Sequence, residues 1–109
     1  MTNYLFIESR DPFESRDIRF VEETAVALKR AGHDVTVFLV QNGVLATRSS
    51  AQNSYLSCLT RAGVNVLVDD FSLSERGIQP ADLLAGIQPA GIESLVDALV
   101  QENTKAIWH

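Results

Sequence analysis

The chain has 109 residues, 46% of them apolar and 21% charged, with 14 acidic against 9 basic side chains and a formal net charge of −5. That length points to one domain with one core, and the composition excludes disorder, collagen and coiled coil. No apolar run approaches the roughly 18 residues of a membrane-spanning helix, and no Lys/Arg run exists to follow a nucleic-acid backbone. The single cysteine, Cys58, excludes an internal disulfide framework and a Cys-rich zinc site. The first residues lack a basic segment, a long apolar segment and a cleavage site, so the cytoplasm is the expected location.

In chain order, Tyr4 to Ser9 is a short apolar run that predicts a buried strand. Pro12 breaks the chain in a polar loop, Asp17 is placed to cap a helix, and Ile18, Val21, Ala25 and Leu28 recur at helical spacing. Lys29 and Arg30 suit the last turn of that helix, and Gly32 stops it. Asp34 to Val40 is nearly all β-branched or aromatic with no polar face, as in a central parallel strand covered on both sides. Asn42-Gly43 reads as a strand-to-helix loop, and Val44 to Arg48 as a helical turn or loop. A helix is predicted from about Ser50 to Ala62, with Gly63 as stop, then a buried strand over Val64 to Val68 ended by Asp69-Asp70. Short helical turns are expected at Ser72 to Arg76, closed by Gly77, and at Pro80 to Ala85. Ile92, Leu95, Val96, Leu99 and Val100 mark an amphipathic helix, and Ala106-Ile107-Trp108 a last strand.

Two sequences occur twice. Glu-Ser-Arg-Asp stands at 8–11 and 14–17, and Gly-Ile-Gln-Pro-Ala at 77–81 and 86–90. Neither occurs a third time, so neither makes a solenoid; the second pair reads as two turns of similar shape. Alternating strands and helices predict an α/β fold: a three-layer flavodoxin-like domain spanning residues 1–109, with a mostly parallel sheet of four or five strands. Ligands on such sheets bind beyond the carboxyl ends of the strands. Those ends are Glu8-Ser9-Arg10, Gln41-Asn42-Gly43, Asp69-Asp70 and His109.

Each candidate has a functional and a plain structural reading. Ser9, Arg10 and Arg16 could hold an anion beside a helix start, or form a solvated loop paired with Asp11, Glu14 and Asp17. Asn42 could offer a ligand contact, although Asn-Gly suits positive φ. Asp69 and Asp70 could bind a cation or a partner, or Asp70 could cap the following turn. With no second acidic cluster at ligand spacing, no metal is expected, and without a glycine-rich fingerprint no cofactor is expected. Cys58 sits mid-helix, where a free cysteine is usually a small buried apolar group. His33 follows a helix end and His109 ends the sequence, and neither has a nucleophile at triad spacing. Leu45, Tyr55, Phe71, Leu73, Ile87, Ile92 and Trp108 exceed what a four-stranded sheet covers, which predicts a subunit interface.

Five segments in order resemble the DsrE/DsrF/DsrH-like family of small sulfur-relay proteins, which includes the Tus subunits. They are Lys29 to Val35, Val37 to Val44, Leu59 to Val66, Ser72 to Ile78, and the final helix with its terminal strand. The resemblance implies a cytoplasmic homo-oligomer, trimeric or hexameric, acting in sulfur metabolism with a sulfur-carrier protein as partner. It also implies, in active members, an acceptor cysteine just after the third strand. Registered on Arg76-Gly77, that position holds Asp69 or its neighbour Asp70. A carboxylate cannot carry sulfane sulfur, because a persulfide forms on a thiolate. The expectation is therefore a non-acceptor subunit or binding protein with Ser9, Arg10, Asn42, Asp69 and Asp70 around a strand-end pocket. The alternatives are an active sulfurtransferase carrying persulfide on Cys58, and a structural or regulatory oligomer without a ligand.

Overall fold

The computed structural model describes residues 2–15, 17–48 and 54–109. Arg16 and the first part of the helix expected from Ser50 lie outside the described residues. Five strands, β1 (Asn3–Glu8), β2 (Asp34–Leu39), β3 (Asn65–Asp69), β4 (Ile87–Ala90) and β5 (Thr104–Trp108), form one sheet in the order β4-β3-β2-β1-β5. All four pairings are parallel. The helices are α1 (Ile18–Arg30), α2 (Tyr55–Arg61), α3 (Asp70–Glu75) and α4 (Ile92–Leu99). The α/β fold expected from the alternation is the observed one.

The strand order explains how the helices divide between the two faces. From β1 to β4 each crossover steps the same way across the sheet. Right-handed connections therefore put α1, α2 and α3 on one face, and the return from β4 to β5 puts α4 on the other. The core follows this division. Phe6, Val37, Leu39, Val66 and Val68 pack with Val21, Ala25, Leu56, Leu59 and Leu73 on the first face. The second core is small: Leu5, Ile7, Phe38 and Val40 under Leu95. Because β1 and β2 send side chains into both cores, they read as continuous apolar runs.

Several local expectations are corrected. Asp17 precedes α1 but makes no side-chain cap; its carboxylate pairs with Arg10 at 3.3 Å instead. The chain from Gln41 to Thr47 is a 3-10 helix, and positive φ falls on Gln41 (φ 50), not on Asn42 or Gly43. The second Gly-Ile-Gln-Pro-Ala is not a turn: Ile87–Ala90 is β4, a strand the sequence reading missed. The first copy does make a turn, with Pro80 opening a 3-10 helix over Pro80–Asp82. Both copies start alike, with glycine at positive φ and a buried isoleucine. They part because the second runs beside the free edge of β3, where Pro89, having no N–H to give, is tolerated on an edge strand.

Gly43 is buried where the 3-10 helix passes directly over the end of β1. A Cβ there would overlap the carbonyl oxygen of Glu8, which is backbone and cannot swing away. Gly43→Ala is expected to cost about 1–3 kcal/mol, as overpacking does. Urea unfolding at neutral pH measures it, and a change near zero would show that this contact is loose.

Candidate functional site

The carboxyl ends of β1, β2, β3 and β5 converge on one edge of the sheet. Glu8, the last residue of β1, is completely buried. Its carboxylate accepts the Arg10 backbone N–H at 2.9 Å and lies 2.7 and 3.0 Å from the Nδ1 of His109. The sheet register brings these two together: Ile7 pairs with Trp108, so Glu8 stands beside His109 one step on. His109 is held through its backbone too. Its N–H donates to the Ile7 carbonyl at 2.8 Å, and its carbonyl accepts from Ser9 N–H and Ser9 Oγ, both at 3.0 Å.

Burial is the main influence on Glu8 and raises its pKa above 4.5, against smaller opposing effects from the Arg10 N–H and His109. Tyr55, at the start of α2, is buried nearby. Its pKa is raised by burial first, then by the charges of Glu8 and Glu22, and its hydroxyl has no hydrogen-bond partner among the described residues.

At the end of β3, Asp69 is buried and turned onto the following helix. Its Oδ2 accepts from Ser72 N–H at 3.1 Å and from Ser72 Oγ at 2.6 Å, capping α3. The cap is thus Asp69, not Asp70. Ser72 Oγ in turn accepts the Gln41 N–H at 2.9 Å, which ties the end of β2 to the end of β3. Arg76 donates from Nε and Nη2 to Asn42 Oδ1 at 3.3 and 3.1 Å.

The expected site residues are divided by this arrangement. Ser9, Arg10 and Asn42 line one cavity of about 280 Å³ with Asp11, Glu14 and Ser15. Asp70 is exposed and lines a separate cavity of about 240 Å³ with Leu73, Ile78 and Pro89. Asp69 lines neither cavity. Cys58 is half-buried at a cavity between α1 and α2 with Val26, Arg30, Arg61 and Ala62, near the ends of the two helices that lead into β2 and β3. That is the opposite edge of the sheet from Glu8. The sequence reading missed the Glu8–His109 pair. Both residues had been placed at strand ends, and equal stepping along neighbouring parallel strands was the signal that could have joined them.

Among the described residues no group of three or more His, Cys, Asp or Glu side chains is placed to hold a metal ion, and no helix is long and apolar enough to cross a membrane. Comparison with known proteins agrees with the β/α order and the parallel sheet. The DsrE/DsrF-like family model matches residues 2–106. The chain belongs to the DsrE/DsrF-like family. Its fold is similar to that of the ychN protein from E. coli, at a TM-score of 0.89 and 19% identity over 100% of both chains. It is also similar to MTH1491 from Methanobacterium thermoautotrophicum, a protein of unknown function, at a TM-score of 0.83 and 21% identity, again over 100% of both chains. No curated protein matches the chain in sequence.

The raised pKa of Glu8 sets the sign of its pH dependence. A carboxyl that binds its proton more tightly when folded stabilises the fold most below 4.5, and that contribution is lost as pH rises through the folded-state value. Glu8→Gln cannot ionise, so its stability relative to wild type is expected to improve as pH rises above 4.5, by at most about 1.4 kcal/mol per pH unit across the window. Urea unfolding of both proteins in steps from pH 4 to pH 8 reads this out. A difference that is flat with pH would mean Glu8 is not destabilised by burial.

Proposed function

We propose that this DsrE-like protein serves sulfur relay as a non-acceptor subunit that docks a sulfur-carrying protein at its strand ends, in the cytoplasm, as a homo-oligomer. The observation that carries the reading is the state of Asp69. The family resemblance puts the acceptor cysteine at Asp69 or its neighbour Asp70, and the Asp69 carboxylate is buried and taken up in capping α3. A carboxylate gives no persulfide, since a persulfide forms on a thiolate. Ser9, Arg10 and Asn42 offer hydroxyl, guanidinium and amide groups on one accessible cavity, and the exposed Asp70 adds a carboxylate at the neighbouring one. Membership of the DsrE/DsrF-like family supports the link to sulfur relay.

The oligomer part rests on the second face of the sheet. There the eight-residue helix α4 buries Leu95 but leaves Ile92, Val96, Leu99 and the following Val100 exposed, with Trp108 of β5 exposed at 64%. Of the seven residues expected in surplus, Tyr55, Leu73 and Ile87 are buried and Leu45 half-buried, whereas Phe71, Ile92 and Trp108 remain exposed. Apolar groups gathered in this way suit a second copy of the chain.

The sulfur test uses glutathione persulfide as donor and a peptide with one cysteine as acceptor. Transfer to the peptide is expected to be faster with the protein present, with no sulfur adduct on the chain by intact mass and no change in rate for Cys58→Ser. A persulfide on Cys58 that forms and discharges at the rate of transfer would replace this reading with that of an active sulfurtransferase. For the assembly, native mass spectrometry is expected to show a trimer or hexamer, and Val96→Lys to shift it to monomer with the fold kept. A wild type that is monomeric at micromolar concentration contradicts the oligomer.

A further inference from the structure

At the strand ends the Glu8–His109 pair has the geometry of a base with its orienting carboxylate. We infer that His109, held by Glu8, accepts the proton of a thiol that a partner presents at the strand ends. The identity of the thiol rests on the sulfur-relay reading; the proton-accepting pair rests on the following geometry.

Glu8 and His109 occupy the same row of two adjacent parallel strands, and their side chains meet on the face covered by α1 and α2. The carboxylate binds only one nitrogen of the ring, Nδ1, and its own position is fixed by the Arg10 N–H. The backbone of His109 is bonded to Ile7 and Ser9 on either side of Glu8, which keeps its Cα beside the carboxylate, and the ring is held there by Nδ1. Nε2 is then the ring's remaining polar atom. It has no partner among the described residues, and it is not among the enclosed atoms that lack one, so it reaches solvent. A carboxylate on Nδ1 with Nε2 open is the arrangement by which a third group orients a catalytic imidazole and stabilises its charged form. Among the described residues the single thiol, Cys58, lines a cavity with Val26, Arg30, Arg61 and Ala62 and not with His109, so the thiol of this step is one that a partner brings.

The surroundings add a second observation. The Tyr55 hydroxyl is buried, unpartnered and under the charges of Glu8 and Glu22. A buried hydroxyl without a partner is rare unless something completes it, so the pair adjoins an incomplete polar position. The ionisable groups around the pair are Arg10 from the first loop and Tyr55 from α2, with Glu22 of α1 facing Tyr55. A buried carboxylate–imidazole pair is also a poor device for stability alone, since an apolar pair of similar size does as well without the desolvation cost.

The step is a proton transfer. The S–H bond of the incoming thiol breaks, its proton goes to Nε2, the electron pair stays on sulfur, and the imidazolium is balanced by the Glu8 carboxylate. The thiolate is then the nucleophile for the terminal sulfur of a persulfide, which leaves its donor as a thiolate. No oxidant or reductant is consumed.

The test uses the full chain, with glutathione persulfide as donor and the single-cysteine peptide as acceptor, across pH 5 to 9. Wild type is expected to accelerate transfer, with the acceleration failing in acid. His109→Gln, which keeps a hydrogen bond to Glu8 but cannot take a proton, is expected to lose both the acid limb and about 100-fold of the acceleration, the lower end for general-base catalysis. Thermal unfolding confirms that the variant folds. Equal acceleration by His109→Gln overturns the pair as a base while the relay reading stands. No acceleration by wild type at any pH overturns the relay reading and the thiol with it. Nitrogen-15 NMR of His109 gives an independent readout: neutral protein is expected to carry the proton on Nδ1 and to gain the second on Nε2. A neutral ring protonated on Nε2 overturns the inference whatever the rates show.

Discussion

The enclosed carboxylate of Glu8 is the constraint on which the strand-end edge depends. An ionisable group with no exposure requires partners on every side, and here each partner is a piece of backbone or a side chain from a different part of the chain. The Arg10 N–H fixes the start of the first loop, His109 fixes the end of β5, and the Glu8 carbonyl meets the Val40 N–H at 3.0 Å beneath the close approach of Gly43. Three of the segments that build the candidate site are thus located by one residue of β1. The fourth, at the end of β3, is joined through Asp69, Ser72 and the Gln41 N–H. Rigid strands set the spacing, and these short polar links set where the loops leave them.

Much of the fold was legible because the buried strands carry their own signature. Asp34–Leu39 and Asn65–Asp69 are short, β-branched and lacking a polar face, which only a sheet covered on both sides requires. The helix of Ile18 to Arg30 was legible from its period and its glycine stop. What failed was β4. Four residues containing a proline, two of them exposed, present no period at all. Its twin at 77–81 shows that the five letters do not decide the matter: the same pentapeptide is a turn after α3 and a strand beside β3. The deciding energy is pairing with an edge that lies far away in sequence, and a local reading cannot include it.

The site was legible in place and only partly in chemistry. The rule that ligands meet parallel sheets at the carboxyl ends named the segments that hold Glu8 and His109, but not their pairing, because that pairing depends on the register of two strands far apart in sequence. The aspartates illustrate the same limit. Asp69 and Asp70 are indistinguishable as letters, yet one residue of phase decides that the first is buried on Ser72 and the second faces solvent. Capping is a matter of where the helix begins, and helix starts are the least legible part of a sequence.

The unequal faces of the sheet connect the fold to the way such a protein would work. Three helices cover the first face and produce the larger core; one short helix covers the second, and its outer apolar residues have no cover from this chain. Glu8, His109 and Tyr55 belong to the well-covered face, where the surroundings are rigid enough to keep a carboxylate from water. The apolar surplus belongs to the other. A subunit packed there would lie behind the sheet from the Glu8–His109 pair and would leave the strand ends uncovered. Asp69 fits the same division of labour. A nucleophilic thiolate at the end of β3 would have to stay accessible, whereas a capping carboxylate works best when buried. With Asp69 turned onto Ser72, and Ser72 Oγ holding the Gln41 N–H, the chain gains a fixed strand-end edge.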